Sequence, residues 1–164
     1  MNIDFSADSE LGKELTQWWR RLQEDTGTRA ELRRCNTPAE VAMTASFNRF
    51  CHRLRPLLKG QWNWEERLAS VLGLLSHIKT DAHGRGLAEQ MSDGNPPVVS
   101  ELRFRRLLQR DTGDIYPAMV RILRMLKGSA DIHDLARSVF FWGGKVKKRW
   151  AYAYFPRVPE KKSA

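Results

Sequence analysis

No apolar run in this chain approaches the roughly 18 residues that a membrane span requires. The opening segment, Met1–Glu10, is acidic and has no positive flank followed by an apolar core, so it does not read as a signal peptide. Neither end carries a lipidation motif. Cysteine is scarce: Cys35 and Cys51 lack CxxC spacing, which excludes a disulfide framework and predicts a reduced, cytoplasmic protein with Cys51 as a buried free thiol. His52, His77, His83 and His133 show no HxH, HxxxH or HExxH spacing, so no metal site is expected and each reads as a surface or core-edge imidazole. There is no GxSxG elbow. Cys51-His52 are neighbours in sequence, whereas a catalytic pair meets in space. His83-Gly84-Arg85-Gly86 lacks the Lys-Ser/Thr ending of a phosphate loop and reads as a turn, with Arg85 available to a phosphate. No stretch alternates with period two, and no repeat is visible.

Positive charge is abundant, and it is unevenly placed. The formal net charge is +9. Residues 1–82 carry 12 Lys/Arg against 11 Asp/Glu, whereas residues 101–164 carry 15 against 6. Such asymmetry points to a polyanionic partner, nucleic acid rather than a membrane.

The periodicity is helical throughout. Leu11, Leu15, Trp18, Trp19 and Leu22 mark an amphipathic helix, with Asp8 or Ser9 as cap and Gly27 as its end. Thr28-x-x-Glu31 and Thr37-Pro38-Ala39-Glu40 read as capping boxes. The second opens a long helix through Phe47, Phe50, Cys51 and Leu54 that Pro56 is expected to stop. Leu68, Val71, Leu72, Leu75 and Ile78 form the next stripe, and Ser92–Pro97 is the expected hinge. Ile132, Leu135, Ala136, Val139 and Phe140 mark a later helix. Gly143-Gly144 should weaken or bend the helix over Lys145–Phe155, and Pro156–Ala164 reads as frayed. The expected fold is all-α, a compact bundle of about seven to nine helices. It comprises a near-neutral half over 1–92 and a basic half over 93–164, as one domain or two closely packed subdomains.

The basic half is organised around Ser100–Arg124, two helices joined at Asp111-Thr112-Gly113-Asp114. Arg103, Arg106 and Arg110 share an arc about 60° wide at 100° per residue. Phe104, Leu107 and Leu108 occupy another arc. On the second helix Met119, Ile122, Leu123 and Leu126 pack, and Arg121 and Arg124 lie outside that stripe. Such rows suit a ladder of phosphates, because each guanidinium fork can bind two oxygens. Arg29, Arg33 and Arg34 form a second basic group. Lys145, Lys147, Lys148 and Arg149 form a third, interleaved with Trp142, Trp150, Tyr152 and Tyr154, which suits single strands. No base-reading module fits, so sequence-independent backbone contacts are expected. Two other readings stay open: a structural protein whose basic face meets an acidic protein, and a small nuclease holding Mg²⁺ on Asp131 and Asp134. Both aspartates also sit where helix N-termini favour negative charge.

Four segments in order carry a family resemblance: Trp18-Trp19-Arg20-Arg21-Leu22, Arg29-Ala30-Glu31-Leu32-Arg33-Arg34 before the Thr-Pro start, Ser100–Leu108, and Phe141-Trp142-Gly143 leading to Val146 and Trp150-Ala151-Tyr152. Over roughly residues 14–155 the chain resembles the CasB family, the small subunit of the type I-E CRISPR surveillance complex Cascade. The resemblance implies a helical protein without catalytic activity or cofactor. Two copies would lie head to tail along backbone subunits that coat the guide RNA, with the large subunit as a further neighbour. The basic surface would hold the displaced single-stranded DNA and brace the guide RNA–DNA duplex. By position, the residues implied in nucleic-acid binding are Arg29, Arg33, Arg34, Arg103, Arg106 and Arg110, with Lys145 and Lys148. Arg121 and Arg124 join them from the helical pattern alone.

Overall fold

The computed structural model describes residues 3–160, and its regular structure is almost entirely helical. In chain order the helices are α1 (Glu10–Glu24), α2 (Thr26–Arg34), α3 (Pro38–Ala42), α4 (Ala45–Leu58), α5 (Trp64–Leu75), α6 (Leu87–Met91), α7 (Glu101–Leu108), α8 (Ile115–Met125), α9 (Ile132–Phe140) and α10 (Gly144–Tyr154). Two-residue strands β1 (Thr80–Asp81) and β2 (Ser129–Ala130) pair in parallel, Thr80 opposite Ser129 and Asp81 opposite Ala130. Strands this short leave no alternating pattern to read.

The bundle is built around α5. Every residue from Leu68 to Leu75 is buried, not only the expected stripe. A helix apolar on all sides belongs in the interior, and α5 packs against α2, α3, α4, α8 and α9. Buried side chains from both halves of the sequence lie in one core cluster. Gly73 makes the close approach possible. A Cβ there would collide with the Tyr116 hydroxyl and lie 2.8 Å from Val41 Cγ2.

Local chemistry explains where the elements differ from the sequence reading. Ser9 caps α1, accepting the Gly12 N–H. Asp25, not Gly27, divides α1 from α2, because its carboxylate accepts the Thr28 N–H and leaves Gly27 inside the next helix. The segment expected as one long helix is two. Thr44 interrupts it by donating to the Val41 carbonyl and accepting the Phe47 N–H, which caps α4. That break brings the count to ten helices among the described residues. Pro56 does not stop α4. It sits exposed in the last turn, where burial of Leu54 and Leu58 carries the helix past a missing N–H. Gly143-Gly144 opens α10 rather than bending it. Phe155–Arg157 is a docked 3-10 turn, with Arg157 donating to Glu89 O and Ser92 Oγ and pairing with Asp93 at 3.0 Å. The rest of the stretch expected to fray includes residues 161–164, which lie outside the described residues. Cys51 is buried and free.

Gly73→Ala is expected to destabilise the fold by about 1–3 kcal/mol through overpacking against Tyr116 and Val41, even though alanine gains about 1 kcal/mol in helix propensity. Urea unfolding measures it. A stabilised variant would show that Tyr116 yields without cost.

Candidate nucleic-acid interface

Helix α7 and the turn after it present three arginines in register. Ser100 caps the helix through the Arg103 N–H, and burial of Phe104 and Leu107 anchors it to the core. The 110–114 turn is fixed by Asp111 N–H to Asp114 Oδ1 at 2.7 Å and by Trp142 Nε1–H to Arg110 O at 2.9 Å. Arg110 also donates to the Asp114 carbonyl. On α8, burial of Tyr116, Met119, Ile122 and Leu123 turns Arg121 and Arg124 outward.

Two clefts result, and they meet. Arg103, Arg106, Arg110 and Arg121 line the first, over a floor of Leu107, Ala118, Ile122 and Met125. Arg33, Arg121 and Arg124 line the second, with His77 and Tyr116. Arg121 belongs to both, so Arg103, Arg106, Arg110, Arg121, Arg124 and Arg33 form one track rather than scattered patches. Arg29, half-buried on α2, donates Nε–H to Ser76 O at 3.2 Å, and its Nη2 is buried without a partner. Arg34 is exposed at the end of α2, outside both clefts. Lys145 and Lys148 are exposed on α10 and line neither cleft.

Among the described residues, none of Arg29, Arg33, Arg34, Arg103, Arg106, Arg110, Arg121 and Arg124 has a carboxylate within ion-pair distance. The arginines that do are elsewhere. Arg53 pairs with Glu14, Arg137 with Asp134, and Arg157 with Asp93. Arg85, which the sequence left available to a phosphate, is paired with Asp93 at 2.7 Å. Arg149 of the third basic group donates to Ser138 Oγ and lies 3.8 Å from Asp134. The interleaved aromatics are mostly core: Trp142, Trp150 and Tyr154 are buried, and Tyr154 stacks on Phe104 with centroids 3.9 Å apart. Only Tyr152 of that group is exposed. His77 and Tyr116 join the cleft without any sequence signal. Nothing in their local spacing marks them, because separate elements bring them together.

Asp131 and Asp134 do not converge as an open metal pair. Asp131 caps α9 by accepting the His133 and Asp134 N–H groups. Asp134 accepts the Leu87 N–H at 2.8 Å and holds Arg137. No helix among the described residues is long and apolar enough to cross a membrane.

The family model of CRISPR-associated protein Cse2 matches residues 28–155. The chain is also similar to CasB from Thermus thermophilus, at 25% identity and TM-score 0.64, over 88% of this chain and 97% of that one. It is similar to a second structure from Thermus thermophilus, a CRISPR-associated protein of the Cse2 family, at 25% identity and TM-score 0.66, with the same coverage of 88% and 97%. A chain of E. coli Cascade bound to a PAM-containing dsDNA target shares the fold at 20% identity and TM-score 0.60, over 87% of this chain and 94% of that one. No curated protein matches.

His77 reports the electrostatics of the second cleft. Burial, then the charges of Arg33, Arg124 and Arg29, push its imidazole down from 6.5 to about 4. Because the folded pKa is depressed, the unfolded chain takes the proton more readily. The stability contributed by neutral His77 is complete above 6.5 and is lost as pH falls toward about 4. An NMR titration should place the His77 transition near 4, and His77→Gln should flatten the decline in urea midpoint over that window. An imidazole titrating at its ordinary value would contradict the arrangement.

Proposed function

The chain belongs to the CRISPR-associated Cse2 family, and on that premise we propose that it is the small, non-catalytic subunit of a cytoplasmic, Cascade-type RNA-guided DNA surveillance complex. Its arginine track holds the single DNA strand displaced when guide RNA pairs with its target, and braces the guide RNA–DNA duplex. The large subunit, the backbone subunits and a second copy of the chain are its neighbours in that assembly.

The observation that carries this reading is the convergence at Arg121 of two clefts lined by arginines without carboxylate partners. A guanidinium already paired within the molecule would have to break that pair to hold a phosphate. These need not, and fork geometry favours phosphate oxygens. Exchanging a DNA duplex for a guide RNA–DNA duplex is nearly balanced in free energy, so backbone contacts to the freed strand can tip it. The clefts offer phosphate contacts and an apolar floor but no row of exposed rings, which suits binding without sequence preference. The nuclease reading finds no support, since Asp131 and Asp134 are occupied as a helix cap and an ion pair.

Single-stranded DNA binding against salt tests the proposal. The log–log slope should be steeply negative, and replacing Arg103, Arg106 and Arg121 by alanine should make it shallower by roughly 0.7 for each phosphate no longer held. Affinity should fall equally across sequences. Lys145→Ala with Lys148→Ala should cost less, because neither residue lines the track. A slope near zero would remove the function, a sequence-selective effect would indicate a base reader, and displacement by acidic proteins without DNA binding would favour the acidic-partner role.

A further inference from the structure

Away from the arginine track, the N-terminus of α9 gathers a different set of side chains. Asp131 Oδ2 accepts the Gly84 N–H at 3.0 Å, and Asp134 Oδ2 accepts the Leu87 N–H. Together they dock the loop after β1. Asp81 accepts the Ile132 N–H through Oδ1 at 3.2 Å. This lacing brings one ligand atom each from Asp81, His83 and His133 within 4.8 Å of one another. The three come from unlike places: a strand end, an exposed loop and the buried first turn of α9.

The hydrogen-bond neighbours of His133 lie on its Nε2 side. Its Nε2 lies 2.9 Å from Thr16 Oγ1 and 3.2 Å from Gly12 O. The Thr16 hydroxyl already donates its proton to Gly12 O. The Gly12 carbonyl can only accept, so this pair of contacts favours the tautomer with its proton on Nε2. That leaves a lone pair on Nδ1. The His133 side chain is 9% exposed, and Nδ1 is buried with no hydrogen-bond partner. The neighbouring Asp131 Oδ1, 3.9 Å away, is itself an acceptor. A buried acceptor nitrogen with no donor in reach needs a Lewis acid or a water.

We propose that Asp81, His83 and His133 bind one divalent transition-metal ion of the zinc class. A metal-bound imidazole that donates its other N–H to a backbone carbonyl is the usual supporting arrangement, because it fixes the tautomer and the ring. Two imidazole nitrogens and one carboxylate oxygen suit zinc and its neighbours, whereas calcium and magnesium favour oxygen alone. Ligands on a tetrahedral zinc stand about 3.4 Å apart, so the loop closes slightly on binding. His83 supplies the movement: it is exposed, and Gly84 beside it has φ +85°. Bound metal fastens the loop after β1 to α9 and, through His133, to α1. A fourth position stays open to water. In the sequence the only local trace is Asp81-x-His83; the third ligand lies some fifty residues on, brought near by the β1–β2 pairing.

Titration of the tag-free full chain with Co²⁺, followed by its visible d–d absorption, tests the site. Binding should saturate at one ion per chain, and Zn²⁺ should displace it. His83→Ala, on an exposed loop, should keep the fold and lower the affinity about tenfold or more, as should Asp81→Asn. His52→Ala should change nothing. Zn²⁺ should raise the Tm of the wild type and not of His83→Ala. Absent saturable binding, or affinity unchanged in His83→Ala, would overturn the proposal.

Discussion

Like charges held together on one surface repel, and the arginine track exists only because a rigid scaffold resists that repulsion. The strain is visible in the groups among the arginines. Burial and the nearby Arg33 both lower the pKa of Arg29, and Arg33, Arg124 and Arg29 reinforce the effect of burial on His77. On the proposed function, a bound polyanion would relieve this repulsion, so the feature that costs stability in the free chain would favour the ligand. Exposed charges are screened over about 8 Å at physiological ionic strength, so both the repulsion and the attraction should weaken as salt rises.

The scaffold that bears the cost is α5 and the helices around it. Carboxylates are allotted to the scaffold rather than to the track. Asp134 holds Arg137, lies near Arg149 and accepts the Leu87 N–H, while Asp93 joins Arg85 to Arg157 across the loop before α7. These pairs are partly exposed, and each contributes modestly. Their larger effect is on geometry, because they fix the loops that position α7 and α10. The molecule thus sorts its arginines into those paired with carboxylates and those left without one among the described residues.

Much of this was legible in the sequence. The pairing of Arg103 with Arg106 comes from helical geometry and the turn at Asp111–Asp114 from local turn chemistry, both short-range properties, whereas Arg110 lies past the end of α7 and is placed by that turn. Burial of Phe104, Met119 and Leu123 comes from the same periodicity. The illegible part depends on contacts between distant segments. Arg85 and Arg149 look as available in sequence as Arg121, and only the fold shows that carboxylates from other elements engage them. Trp142, Trp150 and Tyr154 could equally have served as stacking rings or core, and packing decided for core. Thr44 and Pro56 misled because a side-chain cap and the burial of Leu58 outweighed simple helix-boundary rules. The meeting of the two clefts at Arg121, with His77 between three arginines, has no sequence signature.

If the chain holds DNA as proposed, phosphates seat along the whole track, including the end beside α2. The His77 imidazole reads this most directly, since burial and then the charges of Arg33, Arg124 and Arg29 depress it from 6.5 to about 4. Its pKa, followed by NMR with and without a saturating single-stranded oligonucleotide, should rise toward the ordinary value when phosphates neutralise those arginines. A His77 pKa that stays where it was while the oligonucleotide is bound would contradict the account.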